Sequence, residues 1–470
     1  MGKSRLSPAR KAALVVLDEA RRRDGYVREL LDRPQALSAL DGRDAGLVRR
    51  LVLGATAARG CLDELLNRFL AKPNKVAPRV RLALRIAAFE LLYLGTSPEV
   101  AVSQGVELAR SVMPAASGLA NAVLHKVAAA REDYLAAADA DGPARSLVSA
   151  ARRAGMPIWL AGEISASLGE QAALDLCAAE LEPAPIAAHQ GCTEHGPHGS
   201  VSEQDEACFS LPGCVAPVDM HGERVRGQLQ RAEIVISDAH AQLIATAATR
   251  PGSCLEIGAG RGTKTYIMSS QAARAGYARE HVALDLYAGK CRQNLERLER
   301  AGIRGVRAVT GDARDLDAVL APLDAEARMH RLFDTVFVDA PCSGTGTMRR
   351  HPEIPWRLAR EDAAANLPEL QLALLREAAM RVAAGGELLY ATCSVLRQEN
   401  EAVVDAFLET GEGEAFLLAP LSESGIFRET QFAPVAPTVR SLESERGLFQ
   451  TVPAPGAFDG HFCARFIKRS

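Results

Sequence analysis

No run of residues in this sequence is apolar for long enough to span a bilayer. The nearest approach to a leader, Leu14-Val15-Val16-Leu17, is cut short by Asp18 and Glu19, too soon for a signal peptide. The expectation is a cytoplasmic protein with no membrane partner. A disulfide framework is missing as well. Ten cysteines in 470 residues run from Cys61 to Cys463 without repeated spacing and without a Cys-x-x-Cys pair. They read as reduced thiols, most of them bland core residues, so any special cysteine must be identified by its neighbours. Internal repeats and low-complexity tracts are also absent, which argues against a repeat array.

What remains is an ordinary globular composition, 48% apolar and 24% charged. The chain exceeds what one core normally holds, so two or three domains are expected. The net charge of −3 hides an asymmetry. Residues 1–130 hold 21 Lys or Arg against 12 Asp or Glu, and the remainder holds 34 against 46. A basic module joined to an acidic one fits an anionic partner gripped by the first part. Charge alone fits solvated Arg-rich helix faces equally well.

Residues 7–135 read as all helix. Ser7-Pro8 has the form of an N-cap followed by proline at the first helical position. Leu14, Leu17, Ala20 and then Val27, Leu30, Leu31 fall at helical spacings, and Asp44 to Arg59 and Val76 to Leu94 repeat the pattern. Arg43-Asp44, Leu51-Val52-Leu53-Gly54, Leu62-Asp63, Leu84-Arg85, Glu90 to Leu94, Ala101-Val102-Ser103 and Asn121-Ala122-Val123-Leu124 follow one another in an order that resembles a NusB-type RNA-binding domain. His125 stands where that family usually has Arg. Beyond it, a helical pattern from Trp159 to Leu181 gives way to loops around Pro183, Pro185, Pro197 and Pro212. His189, Cys192, His195 and His198 sit three apart there, but the run is rich in Gly and Pro and has no partner Cys-x-x-Cys. It reads as a loop rather than a zinc site.

From Pro251 onward, strands are expected at Cys254 to Gly258, His281 to Asp285, Val306 to Val309, Phe333 to Asp339, Glu387 to Thr392 and Cys463 to Ile467. Helices such as Lys290 to Arg300 and Pro368 to Val382 lie between them. That alternation predicts a mostly parallel sheet with helices on both faces. After the first strand, Gly258-Ala259-Gly260-Arg261-Gly262-Thr263-Lys264 enters a helix, a turn whose glycines let backbone approach a ligand. Asp285 ends the second strand, 27 residues after Gly258, where a carboxylate can accept from ribose hydroxyls. Asp312 follows the third strand and is placed to meet an adenine. Three acids at successive strand ends (Asp285, Asp312, Asp339) favour an adenosyl ligand. NAD is the competing cofactor, but no second nucleotide-binding half follows.

Two further runs carry the chemistry. Asp339-Ala340-Pro341-Cys342-Ser343-Gly344 and Thr392-Cys393-Ser394, the latter followed by Glu399-Asn400-Glu401, each put a Cys-Ser just past a strand. Strand ends of an open α/β sheet face the ligand crevice, so Cys342 and Cys393 are expected to converge. Carbon 5 of cytosine is too weak a nucleophile to take a methyl group unaided. A thiolate adding at C6 makes C5 enamine-like, provided a carboxyl group engages the base edge and another group helps remove the C5 proton. Asp339, Cys342 and Cys393 supply those residue types, and spacing alone leaves open which cysteine attacks.

Asp-Ala-Pro-Cys-Ser-Gly-x-Gly-x-x-Arg-Arg-x-Pro-x-Ile and Tyr-x-Thr-Cys-Ser-x-x-x-x-Glu-Asn-Glu resemble the signatures of the Sun/Nop family of RNA cytosine-C5 methyltransferases. With the NusB-like front, the chain is similar to the RsmB-like members, which act on small-subunit (16S) ribosomal RNA. The resemblance covers nearly everything except residues 183–235. It implies Cys393 as nucleophile, Cys342 as the group assisting product release, and S-adenosylmethionine held by Gly258 to Lys264, Asp285, Asp312 and Asp339. It implies an all-α NusB-like domain over 1–140, a small linking region over 141–235 and an α/β Rossmann-like class I methyltransferase domain over 236–470. The family's first loop is normally Asp-x-Cys-Ala-Ala-Pro-Gly-Gly-Lys-Thr. Here Glu256 replaces Asp and Arg261 replaces Pro, whereas Lys264 and Thr265 remain. Its Arg-Val-Asn-x-x-Lys segment is replaced by Ala187-Ala188-His189-Gln190. Arg349, Arg350 and Arg357, with Trp356, are candidates to hold phosphate and stack a base beside the catalytic loop; packing is the other reading of Trp356. A non-catalytic RNA-binding or assembly factor is the alternative function, resting on the altered loop. An NAD-dependent dehydrogenase is disfavoured because no proton-relay histidine is evident near the crevice.

Overall fold

Ser7-Pro8 opens the first helix as expected, but the serine hydroxyl makes no cap bond. The Ser7 N–H donates instead to Gln104 Oε1 at 2.9 Å, tying the start of this helix to a distant one. The computed structural model describes residues 6–33, 37–140, 142, 144–199, 202, 205–220, 222–327 and 331–470. They form two units, Met1–Pro183 with Met348–Arg360, and Ala184–Thr347 with Glu361–Ser470. Among the described residues, no helix is long and apolar enough to cross a membrane.

The first unit is helical: α1 Pro8–Arg23, α2 Val27–Leu31, α3 Gly42–Ala57, α4 Arg59–Phe69, α5 Pro78–Tyr93, α6 Pro98–Val112, α7 Ser117–Leu135, α8 Ala144–Ala154, α9 Ile158–Leu168 and α10 Glu170–Ala179. Proline at the start of α1, α5 and α6 presets φ where no N–H is needed. Asp41 caps α3, accepting from the Asp44 N–H at 2.7 Å. Gly169, at φ +86°, splits into α9 and α10 what the periodicity suggested was one helical stretch. Helix α5 is buried nearly all round, from Val80 to Leu92, and packs against α1, α3, α4, α6 and α7. Its one buried carboxylate, Glu90, is met by the Arg10 guanidinium, Nε to Oε2 at 2.8 Å.

Segment Met348–Arg360 belongs to this helical unit, although it follows the Cys342 loop in the chain. The Trp356 ring occupies the place of a side chain at Gly60, where a Cβ would lie 1.9 Å from Cζ3. Its Nε1–H donates to the carbonyls of Ala57 and Gly155. Glu353 accepts from the Val27 N–H at 2.7 Å, and Arg357 bonds Asp24 and lies over the Tyr26 ring. Arg349 is buried, and its carbonyl accepts from Arg28. Trp356 is therefore a packing residue. Of the two readings of Trp356, packing holds: close packing satisfies the indole on both its apolar and polar sides.

The second unit begins with a four-stranded antiparallel sheet ordered Glu206–Ala207, Cys214–Ala216, Ala188–Gln190, Ile234–Ile236. Strands of two or three residues leave too short a pattern to read, so this region looked like loops. His189 lies in a central strand, fully buried with Nδ1 2.9 Å from Gln242 Oε1, whereas His195 is exposed. Among the described residues, no three His, Cys, Asp or Glu side chains group as metal ligands.

The main sheet contains β1 Gly252–Ile257, β2 Arg279–Asp285, β3 Val306–Thr310, β4 Phe333–Asp339, β5 Val382–Thr392, β6 Phe416–Ala419 and β7 Phe462–Lys468, ordered β6-β7-β5-β4-β1-β2-β3. Strands β1 to β5 are parallel, and β7 runs antiparallel to β5 and β6. Alternate residues serve opposite faces. Phe337 and Leu389 join the cluster of Leu243, Tyr266, Ile267 and Leu298, from α11 Ala239–Ala247, α12 Thr263–Ala275 and α13 Ala288–Arg300. Val336, Val338, Leu388 and Tyr390 join Leu316, Leu320, Leu374, Leu375 and Val404, from α14 Leu316–Ala327, α15 Leu367–Met380 and α16 Glu401–Leu408. Both faces are covered, as a parallel sheet requires, and the fold is Rossmann-like. The chain winds outward from β1 through β2 to β3, then returns to β4 on the other side of β1. The carboxyl ends of β1 and β4 therefore flank the switch point where such sheets bind ligands.

Candidate functional site

At the end of β1, Gly258 has φ +80°, and a Cβ there would lie 2.2 Å from the Asp339 carbonyl oxygen. Only glycine lets these two strand ends come so close. Gly262, also at φ +80°, starts α12 with its Cα turned to Asn294, where a Cβ would fall 1.8 Å from Oδ1. Between them the Gly260 N–H donates to Asp285 Oδ2 at 2.9 Å. The other Asp285 oxygen accepts from the Tyr287 N–H at 2.9 Å, so the carboxylate braces the loop and its own strand end together. Ala259 donates its N–H to the Leu284 carbonyl, and the Thr263 hydroxyl accepts from Arg297. Arg261 is exposed. Leu286 and Tyr287, beside Asp285, are exposed apolar surface that the sequence pattern did not single out. Asp312 lies past β3 with its carboxylate gripped by Arg314, which holds it below its usual range. Beneath the loop, fully buried Glu256 accepts from the Thr265 hydroxyl at 2.6 Å and lies 3.0 Å from His281 Nε2.

The second group gathers at the ends of β4 and β5. Cys342 Sγ lies 3.3 Å from Cys393 Sγ, 51 residues away in sequence. Lys264, from α12, reaches Asp339 Oδ2 at 2.7 Å. Burial pulls the Lys264 ammonium down, but Asp339 outweighs it and the net shift is upward. The Cys393 thiol falls to about 7, chiefly because Cys342 donates to it, with His461 and Lys264 adding positive charge against the cost of burial. The Cys342 thiol moves the other way, well above its ordinary value, because its proton is held against Cys393 and because it is desolvated. The pair is thus polarised, one sulfur ready as thiolate and the other keeping its proton.

Glu399 holds the two cysteine loops together. Its buried carboxylate accepts from the Ser343 N–H (2.7 Å), the Gln371 amide (2.9 Å) and the Ser394 hydroxyl (2.8 Å). Ser343, Thr345 and Ser394 hydroxyls lie within 3.2 Å of one another, and Asn400 donates to the Ser394 carbonyl. The sequence showed Glu399 and Asn400 as part of a motif without a role; a buried polar residue in the turn after a Cys-Ser was the available signal. His461 and Asp238 were missed altogether, because they lie 68 and 155 residues from Cys393 in the chain.

A family model described as 16S rRNA methyltransferase RsmB/F matches residues 245–467, and the NusB family model matches residues 7–129. The ribosomal RNA small subunit methyltransferase B of Sodalis glossinidius is 30% identical over 466 residues, covering 94% of this chain and 96% of that protein. The chain belongs to the RsmB/F family. The protein of the same description from Pseudomonas putida is 30% identical over 93% of each chain, and that of Thermus thermophilus 29% over 99% and 98%. Among solved structures, the protein called PH0851 superposes with a TM-score of 0.70 at 19% identity, covering 99% of this chain and all of that one. That likeness carries the fold. Within the RsmB/F family match lie the glycine loop, both cysteines, Asp339, Lys264 and Glu399, so one α/β unit carries every candidate catalytic and cofactor-binding residue.

Proposed function

We propose that this RNA methyltransferase transfers a methyl group from S-adenosylmethionine to C5 of a cytosine in small-subunit (16S) ribosomal RNA, through a covalent bond between Cys393 and C6. The observation that carries the reading is the polarised cysteine pair, 3.3 Å from sulfur to sulfur, beside the Lys264–Asp339 ion pair at the carboxyl edge of the sheet. Neither a binding platform nor a hydride-transfer site needs two thiols there.

The cofactor loop passes a test of fit. A Cβ at Gly260 would meet nothing closer than 3.9 Å, so the loop leaves its ligand side open. Asp285 is a buried carboxylate with lone pairs beyond the two already engaged, and Leu286 and Tyr287 offer an apolar face beside it. Gly258 to Lys264 would hold the cofactor through backbone amides, Asp285 its ribose, and Asp312 and Asp339 its remaining polar edges. S-adenosylmethionine supplies an electrophilic methyl group on a sulfonium sulfur. The chain does the rest. The Cys393 thiolate adds to C6, forming the S–C6 bond and pushing the double-bond electrons to C5. The Asp339 carboxyl, steadied by Lys264, engages the base edge. Once C5 is methylated, the C5 proton passes to solvent water, its bonding pair re-forms the C5–C6 double bond, and the S–C6 bond breaks with sulfur keeping its electrons. Cys342, still protonated, supports that departure by donating to the leaving sulfur. A cytosine within a duplex hides C6, so the target is single-stranded or flipped out. Residues 1–140 grip RNA in this reading, 141–235 link, and 236–470 carry the chemistry.

The test is transfer of radiolabelled methyl to unmodified small-subunit ribosomal RNA. The wild-type chain labels cytosine C5 and Cys393→Ala does not. Equal labelling by Cys393→Ala would sink the reading.

A further inference from the structure

We infer that His461, held by Asp238, is a positioning residue for Cys393: it accepts the thiol proton and keeps the sulfur as thiolate for attack. The inference rests on the reading of Cys393 as nucleophile, and on strand register with the backbone bonds just beyond it, which bring the two chain segments together. Strands β5 and β7 pair antiparallel with Ala391 opposite Cys463 and Thr392 opposite Phe462. The paired register stops there, and the next residue of each chain is Cys393 on one side and His461 on the other, close enough for the imidazole to act on the Cys393 charge. Beyond the ladder the two backbones are bridged through Gly346. The Gly346 N–H donates to the Cys393 carbonyl at 2.9 Å, and the Gly460 N–H donates to the Gly346 carbonyl at 2.8 Å. They pass so closely that a Cβ on Gly346 would lie 2.2 Å from the Gly460 oxygen.

His461 itself is fixed and enclosed. Its N–H donates to Thr451 Oγ1 at 3.0 Å, its carbonyl accepts from the Thr451 N–H at 2.8 Å, and its side chain is 7% exposed. Nε2 has no hydrogen bond of good geometry, although Asp238 Oδ1 stands 3.5 Å away. A buried ring nitrogen left in that state, next to a carboxylate, is costly unless the ring is completed by a proton or a charge. Asp238 is the other half. It accepts from the N–H groups of His240 and Asp459, both at 2.9 Å. Against the upward pull of burial, His461 and these donors hold its carboxyl well below the usual range. The fixed Asp238 carboxylate steadies the ring that, in this inference, receives the Cys393 proton, and a cation beside a thiol favours its thiolate.

The proton balance is simple. The S–H bond of Cys393 breaks, its proton moves to a ring nitrogen of His461, and the electron pair stays on sulfur to form the S–C6 bond. When the methylated base departs, the pair returns to sulfur beside the same imidazolium. The charged and titratable groups around Cys393 include Cys342 and Asp339 from the end of β4 and the loop after it, Lys264 from α12, His461 ahead of β7, and Glu399, which accepts from the Ser394 hydroxyl. Lys264 is already committed to Asp339, which leaves His461 as the proton acceptor.

The experiment measures the alkylation of Cys393 by iodoacetamide against pH in the full chain, with the modified peptide quantified by mass spectrometry. In His461→Gln the midpoint rises by about one unit, so the rate at pH 7 falls roughly fivefold while the high-pH plateau is kept. Asp238→Asn shifts the midpoint in the same direction. A preserved plateau with an unmoved midpoint in either variant overturns the inference. So does a wild-type midpoint at about 8.5 or above, that of an unassisted thiol, which requires no variant to fold. Methyl transfer by Cys393→Ala, measured beside it, tests the nucleophile separately. If that variant is inactive and the midpoint does not move, the nucleophile stands and His461 has no part in it.

Discussion

Cys342 Sγ lies 3.3 Å from Cys393 Sγ because one buried carboxylate, that of Glu399, bonds the residue after each of them. Two loops from neighbouring parallel strands are thereby held at sulfur-to-sulfur contact, and the shared proton makes the two thiols unequal.

The first prediction concerns pH. The reactive form of Cys393 is the deprotonated one, and its thiol is lowered to about 7. Thiolate is therefore scarce below that pH and nearly complete above it. Single-turnover methyl transfer should rise roughly tenfold between pH 6 and pH 8 and then level off. Rapid-quench measurement on unmodified ribosomal RNA checks this. A flat profile over that range contradicts it.

Removing the second sulfur should separate attack from release. In Cys342→Ala the donor to Cys393 is gone, so the Cys393 midpoint moves up and attack at pH 7 slows. Elimination is slowed more, because no protonated thiol assists the leaving sulfur. The expected outcome is a protein–RNA adduct that persists on a denaturing gel, with the protein surviving only as covalent complex.

Glu399→Ala leaves the Ser343 N–H, the Gln371 amide and the Ser394 hydroxyl without their shared acceptor in a buried place. The loss should be about 3 kcal/mol of stability. Denaturant unfolding followed by circular dichroism gives the stability. Cys342 and Cys393 should then be alkylated independently of each other, which mass spectrometry reads directly.

For the cofactor loop, Gly262→Ala forces a side chain into φ +80° and onto Asn294. The strain should be about 1–2 kcal/mol and should fall on the loop rather than on the whole unit. S-adenosylmethionine affinity by calorimetry should drop tenfold or more. Asp285→Ala should cost at least as much, since it removes both the proposed ribose acceptor and the brace on the Gly260 N–H.

Trp356→Ala should destabilise the helical unit by about 3 kcal/mol, through the void left against Gly60 and the loss of two bonds to carbonyls. It should leave the affinity for single-stranded RNA unchanged at fixed salt once the protein is folded. A loss of RNA binding without a loss of stability would restore Trp356 as a stacking residue.

Much of this was legible in one dimension. The six strands from Cys254 to Ile467 appear where short apolar runs alternate with helical ones, because each must face packed helices on both sides. Strand β6, of four residues, and the strands between Ala188 and Ile236 were not legible, since two to four residues cannot display a period. Sequence likewise placed Asp339 at a strand end and Cys342 and Cys393 just past strands, but which sulfur is the more acidic depends on who donates to whom across 3.3 Å. Trp356 could be read as packing or as stacking until its indole was found between Ala57 and Gly155 carbonyls.

The amino-acid sequence by itself determined the motifs, the alternation of elements and hence the Rossmann-like unit behind a helical module, because these follow from local periodicity and from residue types at strand ends. Only the tertiary structure decided that Glu399 ties the two cysteine loops, that Trp356 is a packing residue, and that the register of β5 and β7 brings the chain before Phe462 up to Cys393. Those depend on strand register and on chain crossings between residues tens to hundreds of positions apart, and no local pattern encodes such distances.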